Sequence, residues 1–199
     1  MKKLLLSLLI SATLMNVVYA KETSDIVRTQ CSTCHGADGN TTSDLYPILA
    51  GQNQEYIVNQ LKAYRDKTRT NLNAQRFMQG IASRLTDEEI NNLAQYYSSL
   101  KPIHKHRITD AVKYEAGREI FLKGNTEKGI PACAACHGEK ALGNQSIPSL
   151  AGQNAGYLKR QFAVFHTNER PSASSTMQQF VKNLDDMEVN ALAEYLQAQ

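Results

Sequence analysis

The chain has 199 residues, of which 22 are lysine or arginine and 19 are aspartate or glutamate, giving a formal net charge of +3. This near balance argues against nucleic acid as a partner, because phosphate binding calls for a strongly basic surface. All four cysteines fall in two short motifs, so no cysteines are left for a disulfide framework.

The first 20 residues have the pattern of a secretory signal peptide. Lys2 and Lys3 precede a mostly apolar run over residues 4–18, and Val18-Tyr19-Ala20 offers a small-residue cleavage site. The run is short and interrupted by polar residues, which favours a signal over a membrane span, although retention as an anchor is the alternative. We predict a signal peptide at 1–20 and a mature chain that is exported to the periplasm.

The central feature is the motif Cys-x-x-Cys-His, which occurs at residues 31–35 and again at 133–137, each time followed by glycine. This motif is the attachment signature for c-type haem: two thiols bond to the porphyrin edge and the histidine offers a nitrogen to iron. The spacing therefore predicts two covalently bound haem c groups. The predicted haem-binding residues are Cys31, Cys34, Cys133 and Cys136, with His35 and His137 as iron ligands.

Three other interpretations of the cysteines are weaker. A thioredoxin-like redox pair belongs at the end of a strand, and the sequence has no βαβ pattern. Zinc would require further ligands at metal spacing, which the remaining histidines do not supply. A disulfide within each pair would leave the two following histidines without a purpose.

An internal repeat predicts two domains. Residues 47–53, Pro-Ile-Leu-Ala-Gly-Gln-Asn, recur at 148–154 as Pro-Ser-Leu-Ala-Gly-Gln-Asn. The positions that match further along are Tyr56 and Tyr157, Gln60 and Gln161, Arg69 and Arg170, and Met78 and Met177. We place an N-terminal domain at 21–102, a linker at 103–110 and a C-terminal domain at 111–199. His104 and His106 are assigned to a solvated linker rather than to iron.

The predicted elements are all helices. A short helix over Ser24–Gln30 precedes the first motif, and a longer one over Tyr114–Leu122 precedes the second. Middle helices follow from apolar residues at i, i+4 and i+7 in both halves. Thr86 with Glu89 forms a capping box that starts the last helix of the first half, and Asp185 with Glu188 repeats it.

Each half also supplies a candidate for the second axial position of its iron. Met78 and Met177 occupy equivalent places in the repeat, each at the same interval before the leucine that introduces the last helix. We predict them as axial ligands; thioether and imidazole together raise the reduction potential and favour electron transfer over substrate chemistry. Met187 falls at the start of the last helix, where we expect it on the surface. His166 is the rival in the second half, but it aligns with Arg65 and we assign it no special role.

Further residues are candidates for supporting the haems. The carbonyls of Pro47 and Pro148 are suited to accept a hydrogen bond from the histidine rings, although both prolines could simply belong to loop turns. Arg69 and Arg170 match the geometry of haem propionates, the alternative being solvated surface arginines.

The motifs taken together resemble the di-haem cytochrome c4 family over essentially the whole mature chain. The resemblance implies two class I cytochrome c folds related by pseudo-two-fold symmetry, with haem propionates facing each other near the interface. The chain lacks the glycine that the family often has shortly before the arginine. The helix before the first haem also lacks the glycine and aromatic pair present in the second half as Gly117 and Phe121.

The leading functional hypothesis is a periplasmic di-haem electron carrier, not an enzyme by itself. The resemblance implies that it connects a respiratory donor with a terminal oxidase, in peripheral association with inner-membrane complexes. The alternative is the cytochrome subunit of a larger dehydrogenase acting on sulfur compounds or alcohols. A di-haem peroxidase is a third hypothesis, which the two methionines oppose because a peroxidase requires an open or displaceable iron ligand.

Overall fold

The computed structural model describes residues 22–103, 107–167, 170 and 175–199. The predicted signal peptide at 1–20 and the linker histidines His104 and His106 lie outside the described residues. Across the described ranges the chain forms helices and no strand, with isolated β-bridges at Asn125–Ile130 and Asn144–Ile147. The all-α prediction is therefore confirmed. None of the described helices is long and apolar enough to cross a bilayer.

In the first half, the described residues form a series of short and longer helices. Helical residues 22–26 continue into a π-helical turn, Val27–Cys31, and then into α1, Ser32–His35, so the predicted helix runs on through the first motif. The elements that follow are α2 (Gln54–Arg65), a second π-helical turn (Ala74–Met78), α3 (Gln79–Ala82) and α4 (Asp87–Ser99).

The second half repeats this order behind a longer first helix, α5, which spans Ala111–Lys123. The later elements are a 3₁₀ turn (Thr126–Lys128), α6 (Ala134–His137), α7 (Ala155–His166), α8 (Ser175–Val181) and α9 (Asp186–Gln197). Both predicted capping boxes are confirmed: the side chains of Thr86 and Asp185 accept from the backbone of the glutamate three residues on, and each glutamate side chain accepts in return.

Each half has its own hydrophobic core. In the first, α2 and α4 bury apolar residues that include Ile57, Leu61 and Ile90. In the second, α5 and α9 cross at Gly117, where an added Cβ would lie 2.0 Å from the carbonyl oxygen of Ala191. The absence of a side chain at this glycine is what allows the two helices to approach so closely.

Candidate functional site

None of the four cysteines of the two motifs is in a disulfide. Burial raises the pKa of Cys31, and it raises the pKa of Cys133 to about 11. A redox-active pair needs a lowered thiol pKa, because the thiolate is the nucleophile, so the structure opposes the thioredoxin-like interpretation. Among the described residues, no cluster of three or more histidine, cysteine, aspartate or glutamate side chains could hold a metal ion.

The motif histidines are buried, with His35 6% and His137 5% exposed. Their Nδ1 atoms lie 3.0 Å from the carbonyl oxygens of Pro47 and Pro148 respectively, which confirms the predicted partners. A carbonyl can only accept, so each ring carries its proton on Nδ1 and keeps the lone pair of Nε2 for a metal. Burial lowers the pKa of both histidines, partly offset by these hydrogen bonds, which favours the neutral form that a metal requires.

The glycine after each motif has a conformational role. Gly36 and Gly138 end α1 and α6 with φ of +83° and +75°, a region that side-chain-bearing residues rarely adopt. The chain turns there and returns to the histidine through the proline of the repeat. The sequence therefore places ring, turn and carbonyl acceptor in the same arrangement twice.

The structure places one predicted methionine against each core. Met78, at the end of the second π-helical turn, packs against the first core, and Met177 in α8 packs against the second. In the first half, the ring of Tyr46 lies between the motif histidine and the segment that carries Met78. The centre of the Tyr46 ring is 6.0 Å from that of His35 and 5.7 Å from that of Phe77, the residue before Met78.

Met187 lies on the surface, as predicted, and the rival His166 lies there too. Met187 is 79% exposed at the start of α9, and His166 is exposed at the end of α7. Neither side chain is positioned by a hydrophobic core. The structure therefore leaves Met78 and Met177 as the candidates that share both their place in the repeat and their contact with a core.

Arg69 and Arg170 are not surface residues, because each is only 3% exposed. The two guanidinium groups share both glutamines of the matching pair: Arg69 donates to Gln60 at 2.7 Å and Gln161 at 2.9 Å, and Arg170 donates to Gln161 at 3.0 Å and Gln60 at 2.8 Å. We call these four residues the arginine–glutamine cluster. It joins the two halves through side chains that the repeat had placed at equivalent positions.

The cluster contains two positively charged guanidinium groups. In the described part of the chain no carboxylate forms an ion pair with Arg69 or Arg170, and the buried Nε of Arg170 has no hydrogen-bond partner. Burial alone would raise the pKa of the neighbouring Tyr56, but Arg170 and Arg69 lower it. These observations indicate a site that an anionic group would stabilise.

A second set of contacts joins the halves through the repeated Gln-Asn pair. Gln52 donates to the carbonyl of Ser149 at 2.9 Å and accepts from its N–H at 2.8 Å. Gln153 does the same with Ile48, at 3.0 and 2.8 Å. Asn154 donates to backbone carbonyls of residues 41, 43 and 46, and Asn53 to those of 142 and 147.

Sequence analysis missed the role of these glutamines and asparagines. It used them only as evidence of a repeat. The available signal was that the same two adjacent polar residues, Gln-Asn, end the repeated segment in both halves.

Models of two cytochrome families match the chain. The family described as cytochrome c matches residues 20–101. The family described as cytochrome c oxidase, cbb3-type, subunit III, matches residues 113–196. Together the matches include both motifs, both candidate methionines and both arginines.

Curated relatives match over most of their length. Cytochrome c-552 of Acidithiobacillus ferridurans is 37% identical over 85% of this chain and 74% of its own. Cytochrome c4 of Pseudomonas aeruginosa is 31% identical over 99% of this chain and 98% of its own. A protein named thiosulfate dehydrogenase electron acceptor, from Thiomonas intermedia, is 36% identical over 85% of this chain and 78% of its own.

Solved structures match as well. The cytochrome c4 of Acidithiobacillus ferrooxidans superposes with a TM-score of 0.80 at 36% identity, covering 86% of this chain and 99% of that one. The thiosulfate dehydrogenase (TsdBA) of Marichromatium purpuratum gives 0.77 at 30% identity, covering 88% of this chain and 39% of that longer one.

Proposed function

We propose that the chain, which belongs to the di-haem cytochrome c4 family, is a periplasmic electron carrier between a respiratory donor and a terminal oxidase. Its two cytochrome c domains carry two covalently bound haem c groups. When bound, each haem supplies an iron atom that accepts one electron and releases it again. The observation that carries the proposal is an arrangement that occurs twice: a cysteine pair outside any disulfide, followed by a buried histidine whose Nδ1 is hydrogen-bonded to a proline carbonyl.

The residues present fit a haem in each half. Cys31 and Cys34 would hold one porphyrin and Cys133 and Cys136 the other, since none of the four is used in a disulfide. His35 and His137 keep Nε2 for iron, because Nδ1 donates to a proline carbonyl. Met78 and Met177 would complete the axial sets.

Apolar and charged groups fit the same cofactor. Phe77 and Leu72, in the segment that leads to Met78, are 38% and 54% exposed and offer apolar surface to a porphyrin. Arg69 and Arg170 offer buried positive charge to propionates. In this role the chain excludes water from the iron ligands and fixes them in place, so that little has to move when an electron arrives.

The periplasmic location rests on the signal-like residues 1–20, whose removal would leave domains at 21–102 and 111–199 joined by the linker at 103–110. The intact mass of the protein exported by its host would test this. Loss of 20 residues with gain of two haem masses supports the proposal, and a retained N-terminus without added haem opposes it.

The partner assignment is tested by reoxidation. The reduced protein is mixed with membranes that contain a terminal oxidase, and absorbance follows its oxidation by oxygen. Fast reoxidation that stops when the oxidase is inhibited supports the proposed route. Reoxidation no faster than in buffer without membranes opposes it.

A second candidate function is that of electron acceptor within a sulfur-compound dehydrogenase. Relatives in Thiomonas intermedia and Stutzerimonas stutzeri are named thiosulfate dehydrogenase electron acceptor, and both are more than 30% identical to this chain. Co-purification of a catalytic chain from the native host, with thiosulfate-dependent reduction of the haems, would favour this candidate. Purification as a separate protein that thiosulfate does not reduce would favour the carrier.

A further inference from the structure

The peptide group between Pro148 and Ser149 is hydrogen-bonded at both ends. Its carbonyl accepts from Nδ1 of His137 at 3.0 Å, and its N–H donates to Oε1 of Gln52 at 2.8 Å. The histidine belongs to the second half and the glutamine to the first. One peptide group therefore connects the histidine of one half to a side chain of the other.

The same arrangement occurs in the opposite direction. The peptide group between Pro47 and Ile48 accepts from His35 at 3.0 Å and donates to Oε1 of Gln153 at 2.8 Å. Gln52 and Gln153 are each only 6% exposed, so water does not compete for these bonds. Each amide also accepts from the backbone N–H of the next residue, which fixes its orientation.

Hydrogen bonds that share a peptide group strengthen each other. When the N–H donates, electron density moves toward the carbonyl oxygen, which becomes a better acceptor. A better acceptor draws the Nδ1 proton of the histidine and makes its other nitrogen more basic. A more basic ligand nitrogen stabilises ferric over ferrous iron and so lowers the reduction potential.

We propose that Gln52 and Gln153 are positioning residues that tune the histidine of the opposite half, so that the potential of each haem depends on the domain that does not hold it. This inference rests on the proposed iron ligation by His35 and His137. It gives the interface a function beyond holding the domains together.

The test is a pair of substitutions, Gln52→Met and Gln153→Met, in the full-length protein with both haems. Each removes the amide and keeps a side chain of similar length. NMR-followed redox titration reports each haem separately through the backbone amides of Gly36 and Gly138, which directly follow the two histidines.

The expected result is crossed. Gln52→Met should raise the reduction potential of the second haem, and Gln153→Met should raise that of the first. At a fixed ambient potential, the ferrous-to-ferric ratio of the affected haem should rise about threefold. This corresponds to about 30 mV, because a tenfold change in the ratio of a one-electron couple is 59 mV. In the reduced protein the Nδ1 proton resonance of the affected histidine moves upfield, because its hydrogen bond weakens. A merely structural interface would not produce this crossed pattern.

Asn53→Ala is the matched control. Asn53 lies beside Gln52 and bonds across the same interface, at 3.1 and 2.7 Å to the carbonyls of Leu142 and Ile147, without touching the Ser149 N–H. It should weaken the interface and leave the second haem's potential within error. A shift as large as that of Gln52→Met would overturn the inference.

A measurement on the unaltered protein covers the case in which the glutamine variants fail to fold. Scalar coupling across the hydrogen bond should be detectable between the amide nitrogen of Ser149 and the side-chain carbonyl carbon of Gln52. The absence of this coupling would overturn the inference. So would a change in reduction potential that is confined to the haem of the substituted half or is equal at both haems. A protein with fewer than two haems by mass would instead refute the proposed function.

Discussion

Replacing Arg69 and Arg170 by methionine, singly and together, tests whether the arginine–glutamine cluster holds the two halves as the structure shows. Gln60 and Gln161 each accept from both arginines. Either single substitution therefore leaves both glutamine oxygens with a donor. The double substitution leaves neither with one.

The magnitude follows from these shared acceptors. An acceptor without a donor costs about 1–3 kcal/mol when buried, and the low end applies here because the contacts are only partly buried. Two orphaned oxygens should make the double variant less stable than the sum of the singles by about 2 kcal/mol. Each single substitution also removes the repulsion between the two guanidinium groups, and the double substitution removes it only once. This too makes the double variant less stable than the sum of the two singles.

The assay is urea unfolding of the oxidised protein at neutral pH, followed by circular dichroism, for the wild type, both singles and the double variant. The slope m should stay constant, so that midpoints convert to free energies of unfolding. Arg118→Met is the control, because that side chain is 46% exposed and should change stability by less than about 0.5 kcal/mol. Additivity of the two singles within about 0.5 kcal/mol would refute the shared-acceptor reasoning.

Three further substitutions test the fold. Gly117→Ala should destabilise the second domain by at least about 1–3 kcal/mol, since its Cβ would overlap the carbonyl oxygen of Ala191; calorimetry showing no loss would contradict the close crossing. Burial alone would raise the pKa of Glu194, but hydrogen bonds from Thr109 and neighbouring groups lower it. The ionised carboxylate therefore adds stability at pH values above its pKa in the unfolded chain. This stability is lost as the pH falls through its pKa in the folded protein. Glu194→Gln should therefore cost about 1 kcal/mol in urea unfolding at pH 7, with the difference closing below about pH 4, and a gap independent of pH would be contrary evidence. Thr86→Ala should cost about 1 kcal/mol through loss of the helix cap, and an unchanged urea midpoint would argue against that cap.

Local patterns predicted the helices well because their causes are local. The capping boxes at Thr86 and Asp185 form as the sequence indicates, since the residues that bond lie three positions apart. The proline carbonyls that meet the histidines were also predictable, because the repeat places the same short loop after each motif.

Contacts between the halves were not predictable in the same way. The shared use of Gln60 and Gln161 by both arginines depends on how two similar domains face each other, which no local spacing encodes. To decide whether Arg69 is a surface residue or a candidate propionate partner, one must likewise know that its side chain is only 3% exposed. The first helix differs too: it passes into a π-helical turn at Val27–Cys31 and continues through the motif, where the sequence predicted an end at Gln30.

The far-red sulfur-to-iron charge-transfer band of the oxidised protein tests the central claim most directly, because only iron with thioether ligation gives it. We predict the band in the wild type, loss of about half its intensity in Met78→Ala and in Met177→Ala, loss of all of it in the double variant, and no change in the control Met187→Ala. A wild-type spectrum without the band, or a band that survives in the double variant, would contradict the account.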